Sequence, residues 1–170
     1  MKLNIIDVPK YLDKEVELSG WIDVRRDHGK LIFFDMRDRS GKVQLVVTPK
    51  EKEAHDIAQK LRSEWVVKIK GTVNPRPEAM KNQKEGPAGE IEVKVSSIEI
   101  ISEAKTPPFE VLTDGYEVGE DVRMKYRYVD LRRPRMKNNL LMRSRVTKFI
   151  RDFLAEQGFI EIETPSLSKS

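Results

Sequence analysis

The chain has 170 residues, 35% charged and 38% hydrophobic, with 32 Lys and Arg against 28 Asp and Glu for a net charge of +4. That length suits one good core, or one compact domain and part of another, and the composition is that of an ordinary soluble globular protein rather than a disordered chain. With no Cys, disulfide frameworks, thiolate zinc sites and cysteine nucleophiles are excluded; two distant histidines, His28 and His55, argue against a histidine metal cluster.

Residues 1–20 hold no apolar run long enough for a signal peptide or membrane span, so no membrane is expected and the cytoplasm is the default compartment. Residues 16–24, VELSGWIDV, alternate with a period of two, placing Val16, Leu18, Gly20, Ile22 and Val24 on one face and Glu17, Ser19, Trp21 and Asp23 on the other. After a DHGK turn, Ile32, Phe34 and Met36 alternate with Leu31, Phe33, Asp35 and Arg37. A DRSG turn then leads into Val43, Leu45 and Val47, alternating with Lys42, Gln44 and Val46. Residues 51–62 carry Ala54, Ile57, Ala58 and Leu61 at helical spacing. Two more alternating runs follow, around Val67–Val73 and Ile91–Val95, on either side of the Pro- and Gly-containing stretch 74–89.

The order β-β-β-α-β-β predicts a mainly β fold, a five-stranded OB-fold barrel with a short helix between strands three and four. Gly20 and Gly71 sit mid-strand, where a missing side chain permits the bending of a small barrel. The barrel is expected to end near residue 102. The run AKTPPFEVLTDG reads as a linker, because consecutive prolines cannot donate ladder hydrogen bonds and disfavour helix before them.

Charge distribution changes along the second part. Residues 106–122 hold five acidic and no basic side chains; residues 123–151 hold eleven basic residues and one acidic residue, Asp130. Such a run is either a solvated face or a surface beside an anionic partner. From 138 to 157 the spacing of Leu141, Val146, Phe149, Ile150, Phe153 and Leu154 predicts an amphipathic helix stopped by Gly158. FIEIETP then reads as a strand. One helix and one strand do not enclose a core, so the second domain is expected to be truncated.

The strand two and three face carries the chemistry. Phe34 falls in the core register, so Phe33 falls outside with Asp35 and, across the hairpin, Gln44 and Val46. An exposed aromatic face stacks any base, a neighbouring amide can pair with a base edge, and an arginine can hold phosphate. Phe33, Gln44 and Arg26 supply those three functions, although single surface aromatics are also common on hairpins with no such role.

The segments GWIDVRRDHGKLIFFDMRDRSGKVQLVV, AKTPPF, YRYVDLRRPRM and GFIEIETPSLSKS together resemble the N-terminal region of the bacterial-type aspartyl-tRNA synthetases, class II aminoacyl-tRNA synthetases. Lysyl and asparaginyl synthetases share the barrel, but YRYVDLRRPRM is more like the aspartyl family. The resemblance implies an OB-fold anticodon-binding domain over 1–104, a hinge over 105–122, and the first helix and strand of an α+β catalytic domain over 123–170. It implies that Phe33 stacks on the middle anticodon base, Gln44 reads that base's edge and Arg26 contacts the same loop, with His28 in the adjacent turn influencing tRNA choice. Arg62, Arg76 and Glu92 match further anticodon-loop positions. Plain solvation is the alternative for the two arginines, and a cross-strand salt bridge with a lysine is the alternative for Glu92. Pro165 matches the hallmark of motif 1 at the dimer two-fold; taken alone it is a strand terminator. The whole enzyme would be a homodimer using ATP and magnesium to join aspartate to its tRNA. Its catalytic residues would lie beyond Ser170, so no catalytic residue, metal or cofactor site is assigned here and this stretch is expected to be inactive. A free-standing OB-fold protein binding single-stranded nucleic acid is the alternative function.

Overall fold

In the computed structural model the described residues are 3–165, the side chains of residues 79 and 83–86 excepted. The chain divides into two compact units, Met1–Thr106 and Pro107–Ser170.

The first unit is a closed barrel of β1 (Glu15–His28), β2 (Leu31–Arg37), β3 (Lys42–Val47), β4 (Val66–Pro75) and β5 (Ile91–Ser102), with α1 (Lys52–Lys60) between β3 and β4. The strands run round the barrel in the order β1-β2-β3-β5-β4; the β3–β5 seam is parallel and the other pairings are antiparallel. The expected OB-fold is therefore present. Its core is the inward half of each alternating run: Leu18 and Ile22, Phe34 and Met36, Val43 and Val47, Val67 and Val73, Val93 and Val95, all buried. Ala54, Ala58 and Leu61 close on that core from α1. Both mid-strand glycines mark close approaches of backbone. A Cβ at Gly20 would come within 2.4 Å of the Arg37 carbonyl oxygen, and one at Gly71 within 2.4 Å of that of Lys94.

Three features depart from the period-two reading. A bulge between Ile22 and Val24 inserts an extra residue, so Asp23 is 3% exposed and Val24 only half-buried, the reverse of the alternation. The buried carboxylate is matched by Arg37 at 2.7 Å and by Lys42, while Arg37 also reaches Glu64 at 2.6 Å. On β3, Gln44 and Val46 keep the outward register but are covered, because β3 lies between two strands and under the 3-10 segment Gln83–Glu90. Finally, a 3-10 segment at Ile5–Tyr11 that the alternation does not announce inserts Ile5 and Val8 into the core. Asp38 ties it down, accepting from the Ile5 N–H at 2.9 Å, the Ser40 N–H and hydroxyl at 2.6 Å, and the Gly41 N–H at 3.0 Å.

The second unit contains α2 (Glu120–Lys125), α3 (Arg127–Asp130) and α4 (Pro134–Glu156). Helix α4 begins four residues before the expected start, with Pro134 at its first position, where the missing N–H costs nothing. It ends as Gly158 adopts a φ of 84° and the Phe159 and Gly158 N–H groups bond back to Leu154 and Ala155, a Schellman closure. The basic run does not form one solvated face. Arg133 is fully buried, its guanidinium 4.6 Å from the Phe109 ring centroid and bonded to Thr113 at 2.9 Å and Glu117 at 3.3 Å. Gly115, at a φ of 88°, leaves the space for it: a Cβ there would lie 2.4 Å from Nη1.

The expected strand at FIEIETP is not formed. Residues 159–165 carry no regular secondary structure and have no partner strand among the described residues, so there is no ladder for a strand to join. The α4 stripe Leu141, Val146, Phe149, Ile150, Phe153 and Leu154 is exposed. The last five residues of the resemblance's GFIEIETPSLSKS, 166–170, lie outside the described residues.

Candidate nucleic-acid interface

Directly paired residues share a face of the sheet. Phe33 pairs with Arg26 on β1 and with Val46 on β3; Asp35 pairs with Gln44, and Gln44 with Glu92 across the parallel seam. Arg26, Phe33, Gln44 and Glu92 therefore stand together on the outside of β1, β2, β3 and β5. Phe34, one residue on, is fully buried. The RRDH run divides by the same rule. Arg26 and His28 take the Phe33 side, while Arg25 takes the Phe34 side, where it bonds the Gln59 carbonyl at 2.6 Å and holds the Asp27 carboxyl below the usual aspartate range.

The polar groups of this face form a chain. Arg26 makes a bidentate pair with Asp35, Nη1 at 3.0 Å and Nη2 at 2.6 Å, and Nη2 also approaches Gln44 Oε1 at 3.4 Å. Gln44 Nε2 donates to Glu92 at 3.0 Å, so the partner of Glu92 is an amide rather than the lysine weighed above. Phe33 is half-buried rather than free-standing, with the His28 ring edge-on at 5.6 Å. Its remaining face lies beside an amide and a guanidinium that these hydrogen bonds orient.

The other candidates sit elsewhere. Arg62 follows α1 and donates to the carbonyls of Gln59, Lys60 and Leu61 at 2.9–3.2 Å, closing the helix C-terminus while staying exposed. Arg76 is not solvated. It is buried, with Nε donating to the Ile91 carbonyl at 2.9 Å and its N–H to that of Glu90 at 2.8 Å, immediately before Glu92. Pro165 is exposed in the second unit. Asp35 and Lys94 also belong to the face and were not singled out; the hairpin register carries the signal for Asp35, whereas Lys94 becomes visible only with the parallel β3–β5 pairing. Among the described residues no three His, Asp or Glu side chains converge as a metal site, and no helix is long and apolar enough to cross a membrane.

A closed five-stranded barrel presenting an aromatic ring, an oriented amide and a guanidinium on the outside of β1, β2 and β3 is an OB-fold of the kind that binds unpaired bases. Residues 16–101 match the family model for the OB-fold nucleic acid binding domain of the tRNA anticodon type, and residues 119–170 match that for class II tRNA synthetases (D, K and N). The chain belongs to this family of anticodon-binding OB-folds joined to class II synthetase sequence. It is 55% identical over 158 residues to the aspartate--tRNA(Asp/Asn) ligase of Syntrophomonas wolfei, covering 92% of this chain and 27% of that protein. Against the corresponding ligase of Geobacillus sp. it is 53% identical over 162 residues, covering 95% and 27%. The asparaginyl-tRNA synthetase of Pyrococcus horikoshii complexed with asparaginyl-adenylate superimposes with a TM-score of 0.74 at 27% identity, over 97% of this chain and 36% of that one. The chain thus spans about a quarter of the length of the curated relatives it matches. The match over 119–170 disfavours a free-standing OB-fold protein.

Proposed function

We propose that the chain recognises the anticodon loop of tRNA for aspartate as part of an aspartate-tRNA ligase whose whole form activates aspartate with ATP and magnesium. The observation that carries this is the convergence of Phe33, Gln44 and Arg26 on one barrel face, in a chain more than half identical to ligases of that name. Phe33 stacks on a loop base, Gln44 reads its edge with Glu92 behind it, and Arg26 reaches the same nucleotide. His28, packed against Phe33, borders the stacked base. Arg62 meets the loop from the end of α1, and Arg76 contributes by anchoring the Ile91–Glu92 backbone. The relatives' names extend to tRNA for asparagine, and His28 is the residue we assign to that choice. The exposed α4 stripe and Pro165 are assigned to contacts with a second copy in a cytoplasmic homodimer. No residue among those described is assigned to ATP or magnesium, and no catalytic step is derived.

The test is a titration with the anticodon stem-loop of tRNA for aspartate beside a scrambled loop of equal length and charge. Preference for the native loop is expected. Equal affinity would reduce the protein to a nonspecific basic surface.

A further inference from the structure

We propose that Asp35 is a positioning residue that turns Arg26 from a phosphate-binding cation into an oriented base-edge donor, an inference that rests on the anticodon reading above. An arginine on a nucleic-acid face ordinarily adds to phosphate binding, and each phosphate so neutralised steepens the salt dependence of binding to single strands by about 0.7 in log–log slope. The environment of Arg26 works against that use. Its guanidinium is clamped from beneath by the Asp35 carboxylate at 2.6 and 3.0 Å; the Arg26 side chain is 43% exposed and that of Asp35 only 15%. A bidentate pair fixes the plane of the fork as well as its position. Three of the five N–H groups are engaged with Asp35 and Gln44, which leaves Nε–H and one Nη1 hydrogen, among the described residues, pointing in set directions.

The constraint passes on to Gln44. Its Oε1 faces Arg26 and its Nε2 faces Glu92, so turning the amide over would set donor against donor at one end and acceptor against acceptor at the other. Among the described residues one N–H and one side of Oε1 have no partner, although Gln44 is only 9% exposed, and they form a donor–acceptor pair suited to the edge of an unpaired base. Charge on the face points the same way. Arg26 and Lys94 are matched in number by Asp35 and Glu92, so these four side chains of the face together carry no net charge. The carboxylate exchanges general affinity for RNA for discrimination between loops.

The experiment measures binding of the native and scrambled stem-loops over a series of salt concentrations, for the unmodified chain, Asp35→Asn and Arg26→Ala. Releasing Arg26 in Asp35→Asn should steepen the slope of log affinity against log salt by about 0.7 and lower the preference for the native loop about tenfold. Arg26→Ala should lose a similar preference with an unchanged slope, a result that does not require the Asp35 variant to fold well. An unchanged slope in folded Asp35→Asn, or a slope shallower by about 0.7 in Arg26→Ala, overturns the inference while leaving the anticodon reading standing. Equal affinity of the unmodified chain for both loops sinks both.

Discussion

Phe33 and Phe34 are adjacent and chemically identical, yet the sheet gives them opposite work. Phe34 is fully buried among barrel residues, so Phe34→Ala should cost about 3 to 5 kcal/mol of stability. Phe33→Ala should leave the melting transition nearly in place and weaken stem-loop binding by about 1 to 3 kcal/mol, the scale of one stacking contact. Thermal melts and titrations on both variants check the register; a strongly destabilised Phe33→Ala beside a wild-type-like Phe34→Ala would mean it is shifted by one residue. His28 is the second residue-scale prediction. Its ring meets the edge of Phe33 at 5.6 Å and can donate or accept toward a base, so His28→Leu in the full-length ligase should change the ratio of charging of tRNAs for aspartate and asparagine. An unchanged ratio would remove His28 from the recognition set. Alternation alone placed Phe33, Phe34, Asp35 and Gln44 on their correct faces, because a hairpin with tight turns fixes its own register. It could not show that Arg26 would meet Asp35 bidentately, since the two are diagonal neighbours, Arg26 paired with Phe33 and Asp35 with Val24, and only the side-chain conformations bring them together.

Among the elements, the 3-10 segment Ile5–Tyr11 is held by the burial of Ile5 and Val8 and, at its start, by one carboxylate. Burial on its own would push the Asp38 carboxyl up, but the Ser40 hydroxyl and the N–H groups of Ile5, Ser40 and Gly41 together hold it below the ordinary aspartate value. A lowered folded pKa means that the stabilisation is complete above the unfolded value of about 3.9 and is lost as pH falls through the folded one. Asp38→Asn, which turns an amide N–H toward the Ile5 N–H, should therefore cost about 1 kcal/mol at neutral pH, with the difference shrinking once the pH drops below about 3.9. Denaturant unfolding across an acid series measures it; a gap independent of pH would deny the carboxylate this role. This element was illegible in sequence because seven residues containing Pro9 have neither helical nor strand period. The missing strand at 159–165 has the complementary cause: its residues alternate correctly, but alternation describes a face and cannot supply the neighbour that a ladder needs.

At the scale of the whole molecule, binding and chemistry should separate. The face proposed to recognise the anticodon lies within the first unit, whereas no residue described here is assigned to ATP. The 170-residue chain should accordingly bind the anticodon stem-loop and show no aspartate-dependent exchange of pyrophosphate into ATP; measurable exchange would mean that activating groups lie within it. The two-unit division also explains what the charge pattern concealed. Arg133 sits at the centre of the second unit's own small core, against Phe109 and within the space left by Gly115, although in sequence it is one more arginine in a basic run.

The parallel seam between β3 and β5 has a kinetic consequence. Strands β1, β2 and β3 can zip through short hairpins, but Gln44 and Glu92 are 48 positions apart, and closing so long a loop precedes any reward from the contact. Asp35, Phe33 and Arg26 can assemble on the early hairpin. Glu92 joins them only when this seam shuts. Recovery of loop discrimination during refolding is thus a clock for barrel closure, and it should lag behind burial of Phe34.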